Sequence, residues 1–338
     1  MDYQALVNEH GSFAAAARVL GIPASTLKHR ARKAGVSSPH PRAPGAPAHN
    51  LNPSPPDVAS LVPTRGYQQR AWGLGGPASL DLPPKPGGRY TVVGIGDLHG
   101  EWREQSLFEA QLRQIRDLQP DCVALVGDML NFDIISRWQE KILRQMTPLQ
   151  LHREIRAEIN DFQRSILNPV REAAGNAIVF MVEGNHDDRL RKYLSHDLHE
   201  AWEVSREWLG VDDYLDGYYT RAGVFIRPEF LARHGDTTAQ NPAKKELSLA
   251  DCSGWSAHLH RWWQHAEPPN LLSGRNLTHT ILPASCRRDA NYGSGNAGLM
   301  RWHQGDVVGS FSADDPHDHV TDVCLWNGQH LICRGEAY

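Results

Sequence analysis

From residue 90 onward the chain alternates between short apolar runs and longer amphipathic stretches. Tyr90–Ile95 is an apolar run of strand length, Glu104–Leu118 carries apolar residues at helical spacing, and Cys122–Val126 is a second apolar run. A long helical pattern from Pro148 to Ala174 then precedes a third run, Ala177–Val182. Strand–helix–strand alternation predicts an α/β core with parallel strands. Beyond Val224 the segments shorten and become β-rich, ending in Val320–Leu325 and His330–Cys333. The expected architecture is two sheets packed face to face as a sandwich, with helices outside.

The first 88 residues follow another pattern. Ser12 is placed to cap a helix over 13–20, Gly21 supplies a turn, and a second helix runs from Pro23 to Lys33 before Gly35. Two short helices joined by a tight glycine turn form a helix-turn-helix pattern, similar to the small all-α modules of bacterial regulators. On its second helix Ser25, Thr26, Lys28, His29, Arg30, Arg32 and Lys33 are the candidate nucleic-acid contacts. DNA is the partner expected for residues 1–36, with a protein-docking role as the alternative. Residues 37–88 hold 12 of the 22 prolines and six charged residues, which predicts a linker. Its last part, 65–88, with Tyr67, Trp72 and Leu74, is a candidate to pack on the body. The expected organisation is therefore 1–36, 37–88 and 89–338.

Charge separates the same regions. Residues 1–36 carry five basic and two acidic side chains and residues 37–88 four and two, so the chain's net −4 leaves −9 for residues 89–338. The body is thus a poor general clamp for a polyanion, and the N-terminal piece a better one. Five cysteines without CxxC spacing read as free thiols of a reduced, cytoplasmic protein rather than a disulfide framework. No run of 18 apolar residues suggests a membrane span, and the opening MDYQALVNEHGSF has no signal-peptide pattern.

Polar clusters follow the apolar runs. Gly96-Asp97-Leu98-His99-Gly100 ends the first, Gly127-Asp128 the second, and Glu183-Gly184-Asn185-His186-Asp187 the third. Arg233-His234-Gly235-Asp236 and Ala257-His258-Leu259-His260-Arg261 come later. Open α/β sheets place ligand sites beyond strand ends, and carboxylates with imidazoles and an amide oxygen suit divalent metals such as Mn²⁺, Zn²⁺ or Fe²⁺. No thiol stands in these blocks.

These five blocks, in this order over residues 90 to about 265, resemble the calcineurin-like metallophosphoesterases. The resemblance implies a two-sheet fold, two divalent metal ions (Mn²⁺ foremost, Zn²⁺ or Fe as alternatives) and hydrolysis of phosphoesters by a metal-activated water. It implies Asp97, His99, Asp128 and His260 around one ion, and Asn185, His234 and His258 completing a second site bridged by Asp128. His186 matches the family histidine that contacts phosphate and protonates the leaving group. The chain departs from the pattern at Ala257, where a glycine usually precedes His-x-His, and in lacking Asp-Arg-Gly after Gly127-Asp128.

Arg189, Arg287 and Arg288 are candidate substrate-phosphate contacts. Trp262 and Trp263 are read as core or as a base-stacking pair, and 314–319 as a solvated turn rather than a metal cluster. Joining the helical module to a diesterase-type site gives a DNA phosphodiesterase, a nuclease, as the leading reading, in a layout that looks like phage or prophage phosphoesterases. The alternatives are an enzyme for nucleotides or other small phosphoesters, and a DNA-binding regulator with an inactive domain. Oligomeric state is not legible.

Overall fold

The computed structural model describes residues 76–136, 145–194, 198–268, 275–289 and 302–338, together with Ala5 and Gln139. The expected helix-turn-helix and the linker up to residue 75 lie outside the described residues. From Gly76 the chain leads into a short strand, Ala78–Ser79 (β1), so the end of the expected linker joins a sheet.

The three apolar runs become Arg89–Ile95 (β2), Cys122–Val126 (β3) and Ile178–Val182 (β4), paired in parallel. Gly217–Tyr219 (β5) adds a fourth parallel strand at the edge. The remaining strands are Val224–Arg227 (β6), Phe230–Arg233 (β7), Ser253–Ser256 (β8), Trp263–Ala266 (β9) and Thr278–Ile281 (β10). They are followed by Gly305–Ser312 (β11), His319–Trp326 (β12), Leu331–Cys333 (β13) and Glu336–Ala337 (β14). One sheet has the order β14-β13-β12-β11-β2-β3-β4-β5, and the other β1-β6-β7-β8-β10-β9.

Side chains that alternate along a strand sort to opposite faces of its sheet. Val92, Ala124, Val126, Phe180 and Val182 meet Val224, Ile226, Phe230, Ala232 and Trp255 between the two sheets. From the same central strands Val93, Ile95, Val123, Leu125, Val179 and Met181 point the other way, into a core shared with helices. The chain thus has the expected α/β architecture of two facing sheets with helices outside.

Helix Gln105–Leu118 (α1) buries Leu107, Phe108, Gln111, Leu112 and Ile115. Gln111 donates from Nε2 to Ser285 Oγ at 3.0 Å and to the Gly305 carbonyl at 3.1 Å, so its amide nitrogen is satisfied inside the core. The predicted long helix divides into Pro148–Phe162 (α2), a π turn over Gln163–Leu167, and Asn168–Ala174 (α3). Its start is fixed by a capping box between Thr147 and Gln150, with Pro148 in the first turn where its missing N–H costs nothing. No helix among the described residues is long and apolar enough to cross a membrane.

The cysteine expectation is corrected at one pair. Cys324 on β12 and Cys333 on β13 stand opposite each other in the antiparallel register, with Cα atoms 4.5 Å apart, and form a disulfide. Cys122, Cys252 and Cys286 are free and buried. Cross-strand register, which the nine-residue separation does not reveal, makes the bond.

Candidate metal centre

All five polar blocks sit directly beyond the last residues of β2, β3, β4, β7 and β8. These strands run in parallel within their sheets, so their ends deliver side chains to one place. The loops are laced by backbone bonds: Asp97 N–H to Gly127 O, His99 N–H to Asp128 O, and Ala257 N–H to His234 O, at 2.9–3.1 Å. Five site residues, Asp97, His99, Asp128, His258 and His260, have φ between 52° and 79°. They make up half of the ten non-glycine residues with positive φ among those described, so left-handed backbone is concentrated here.

Three groupings of metal-type ligand atoms occur among the described residues, each with its atoms within 4.8 Å of one another: Asp128 with His234 and His258, His99 with Asp128 and His186, and His99 with His260 and Cys286. Asp128 belongs to two of them. Its Oδ2 lies 3.1 Å from His234 Nε2 and 3.9 Å from His99 Nε2, while its Oδ1 accepts from the His186 backbone N–H at 2.8 Å. Asn185 Oδ1 is 3.1 Å from His234 Nε2. The Nε2 atoms of His99 and His260 are 3.1 Å apart, and His260 Nε2 is 3.7 Å from Asp97 Oδ1. Asp97 also accepts from the His258 backbone N–H at 3.0 Å. His234 Nδ1 donates to the Val126 carbonyl at 3.1 Å, which aims Nε2 inward.

Two glycines permit this convergence. A Cβ on Gly127 would lie 2.5 Å from His234 Nδ1, and one on Gly184 2.1 Å from Asp128 Oδ1. At the departure noted in sequence, the Ala257 methyl faces Gly96, where a Cβ would come within 2.8 Å of it. The space that Ala257 fills is therefore left by Gly96.

Electrostatics test whether the set suits a cation. Burial pushes the Asp97 carboxyl up to about 8 against the pull of His234. Burial also lowers His99, takes His258 to about 4 and His260 to about 3. It would lower His234 as well, but the adjoining Asp128 and Asp97 carry that imidazole up to about 9. Neutral imidazoles are the ligating form, and two carboxylates crowded with them fit divalent cations. Below these pKa values cation uptake must displace protons from Asp97 and His234, so affinity rises with pH. Titration calorimetry with Mn²⁺ in buffers of differing ionisation enthalpy is expected to show proton release. Affinity should climb between about pH 6 and 9 by up to about tenfold per pH unit per proton displaced. A pH-independent affinity without proton release would contradict this.

All the sequence candidates in the described body find places. Asp97, His99, Asp128, Asn185, His186, His234, His258 and His260 come together. Arg189 joins them: its Nη2 is 3.2 Å from His186 Nε2, and its Nη1 donates to Asp133 Oδ1 at 2.8 Å. Arg287 and Arg288 are exposed at the rim next to Cys286. Ser25, Thr26, Lys28, His29, Arg30, Arg32 and Lys33 lie outside the described residues. The turn 314–319 is held by hydrogen bonds such as Gly87 N–H to Asp314 and His317 N–H to Asp315.

Four residues have contacts here to which the sequence assigned no role. Cys286, which lies outside the five blocks, has its Sγ 3.8 Å from His260 Nδ1. Asn131 Oδ1 accepts from His186 Nδ1 at 2.8 Å. Asp187 accepts from the N–H groups of Gly184 and Leu130 at 2.8 and 2.9 Å, tying the β3 and β4 loops together. Glu158 of α2 accepts from Asn131 and Phe132 N–H at 2.8 and 2.6 Å. Only Asp187 carried a signal, as an acid following a strand-end block.

This is the site of a phosphoester hydrolase that depends on divalent metal. The calcineurin-like phosphoesterase family model matches residues 90–315, and the chain belongs to that family. The Gene 54 protein of Mycobacterium phage L5 is 29% identical over 202 residues, covering 55% of this chain and 74% of that protein. The Gene 54 protein of Mycobacterium phage D29 is 25% identical over 166 residues, covering 47% and 62%. Among solved structures, Vacuolar Protein Sorting 29 from Cryptosporidium parvum has 12% identity and a TM-score of 0.37, covering 74% of this chain and 98% of that one. A dimetal phosphatase from Danio rerio has 11% identity and a TM-score of 0.34, covering 65% and 92%.

Proposed function

We propose that the protein hydrolyses phosphodiesters at a dinuclear centre, with DNA as its substrate. The observation that supports the dinuclear reading is that Asp128 stands between His99 on one side and His234 with His258 on the other. Asp97, His99, Asp128 and His260 would hold one ion, and Asp128, Asn185, His234 and His258 the other. A divalent pair supplies Lewis acidity at the phosphoryl oxygens and makes water a competent nucleophile near neutral pH.

The chain's own groups do the rest. Asn131 holds the His186 ring through Nδ1, so Nε2 faces Arg189. Burial lowers the His186 pKa, against the pull of Asp128, and the Arg189 charge lowers it further. An anionic phosphate that engages Arg189 withdraws that charge from Nε2 and favours its protonation. His186 then delivers the proton to the leaving oxygen. DNA as the substrate rests on the sequence of residues 1–36, with their net +3 and helix-turn-helix pattern, beside a diesterase-type site.

The test compares a chromogenic phosphodiester, a phosphomonoester and labelled DNA with the Mn²⁺-loaded protein. Diester and DNA are expected to be cleaved faster than the monoester, and His186→Ala to lose on the order of 10²–10⁴-fold while keeping its metal. Preference for the monoester would favour the small-substrate alternative. Metal loss in His186→Ala would remove the proton-donor role.

A further inference from the structure

Beside the carboxylate–imidazole cluster the surface changes character. The three residues after His260 are exposed, Trp262 by 37% and Trp263 by 42%. Trp263 opens β9, an edge strand of its sheet, and Trp262, Trp263 and Gln264 line an open recess of about 330 Å³. Neither tryptophan belongs to the buried core, the place tryptophans commonly take.

The recess adjoins the site through direct contacts. His303 N–H donates to the His260 carbonyl at 3.0 Å, and the His303 ring lies edge-on to Trp262 at 6.2 Å. Arg287 and Arg288 approach from the segment that carries Cys286, Arg287 lying 5.3 Å over the Trp102 ring. Arg287 pairs with Asp289 at 3.5 Å, whereas neither Arg261 nor Arg288 has a carboxylate partner among the described residues. Gln304, next to His303, donates from Nε2 to the Cys286 carbonyl at 2.8 Å, so the segment that carries Arg288 runs beside His303, while Arg261 directly follows His260.

In a body of net −9, this is a local basic patch with open aromatic faces at the mouth of a phosphoesterase centre. Every base has a π-face, and every nucleotide brings one backbone anion. Indole faces combined with unpaired guanidiniums are the chemistry that grips unstacked nucleotides without reading their sequence. A duplex hides its base faces, and a small phosphomonoester has nothing to stack.

We propose that the Trp262–Trp263 recess, with Arg261 and Arg288, stacks the bases of a single-stranded polynucleotide whose backbone leads into the centre, an inference that rests on the phosphodiesterase reading above. A protein strand added to the β9 edge would make little use of the guanidiniums, and is left as an outcome of the test.

The full-length, Mn²⁺-loaded protein is titrated against fluorescein-labelled, phosphorothioate-linked strands that resist turnover: oligothymidine of about 12 nucleotides, an abasic strand of equal length, and duplex. The Trp262→Ala/Trp263→Ala variant is expected to bind oligothymidine about 10–100-fold more weakly, and a Trp262→Phe/Trp263→Phe variant to recover most of that loss. The abasic strand and the duplex are expected to bind the wild type and the alanine variant alike. Circular dichroism and melting temperature check that each variant is folded. Oligothymidine affinity within about twofold of wild type overturns the proposal, as does an equal loss on the abasic strand. Unchanged oligothymidine affinity with altered self-association in sedimentation assigns the recess to protein contact instead. Failure of the phosphodiesterase reading would show separately, as a wild type that leaves the chromogenic diester intact with Mn²⁺.

Discussion

Asp128→Asn is expected to reduce hydrolysis by at least about 10²–10³-fold and to lower metal content, with the fold kept. Asparagine preserves the size of the side chain but removes its charge and turns one oxygen into a donor. Oδ1 accepts from the His186 N–H and Oδ2 faces His234 Nε2, so an amide nitrogen at either place meets a donor or a needed ligand atom. The two proposed metal positions share this carboxylate, so one substitution weakens both. Metal analysis, steady-state rates on the chromogenic diester and far-UV circular dichroism check the result. Full activity with two bound ions would remove Asp128 from the bridging position.

Gly184→Ala is expected to do comparable damage without touching a ligand. The added methyl would sit 2.1 Å from Asp128 Oδ1 and 2.2 Å from Asp128 N, both part of the β3 loop. That loop cannot retreat freely, because Asp187 ties it to the β4 loop through Leu130 and Glu158 holds Asn131 and Phe132. Overpacking of this kind costs about 1–3 kcal/mol, and here the displacement falls on the proposed bridging carboxylate. The melting temperature should drop by several degrees, about 2–4 °C per kcal/mol for a domain of this size, with metal content and rate falling together. A variant with wild-type metal content and rate would show that the loops yield more easily than their bonding indicates.

Much of this arrangement was legible because local signals agreed with the global fold. The apolar runs beginning at Tyr90, Cys122 and Ala177 became parallel strands, and each polar block that followed stood at a strand end. What stayed hidden depends on register and on partners distant in sequence. Gly217–Tyr219 is too short to announce itself as a strand, and it is placed by pairing with β4. Cys324 meets Cys333 only because β12 and β13 pair with those residues opposed. Glu158 looks like any other polar helix residue until α2 is set against the β3 loop. Cys286 could not be read as part of the cluster, because its block lies outside the five-part pattern and reaches His260 only through the fold.

The left-handed residues of the site set a limit on improving this molecule. For a side chain with a Cβ, such backbone costs roughly 1–2 kcal/mol, and glycine or asparagine relieves it. Asp97, His99, Asp128, His258 and His260 all pay that cost, each at a position where its side chain is needed. The best-folding sequence and the hydrolytic one therefore diverge at these five places. Selection for heat resistance alone would pull the lineage toward an inert scaffold, and only selection for turnover keeps the loops bent.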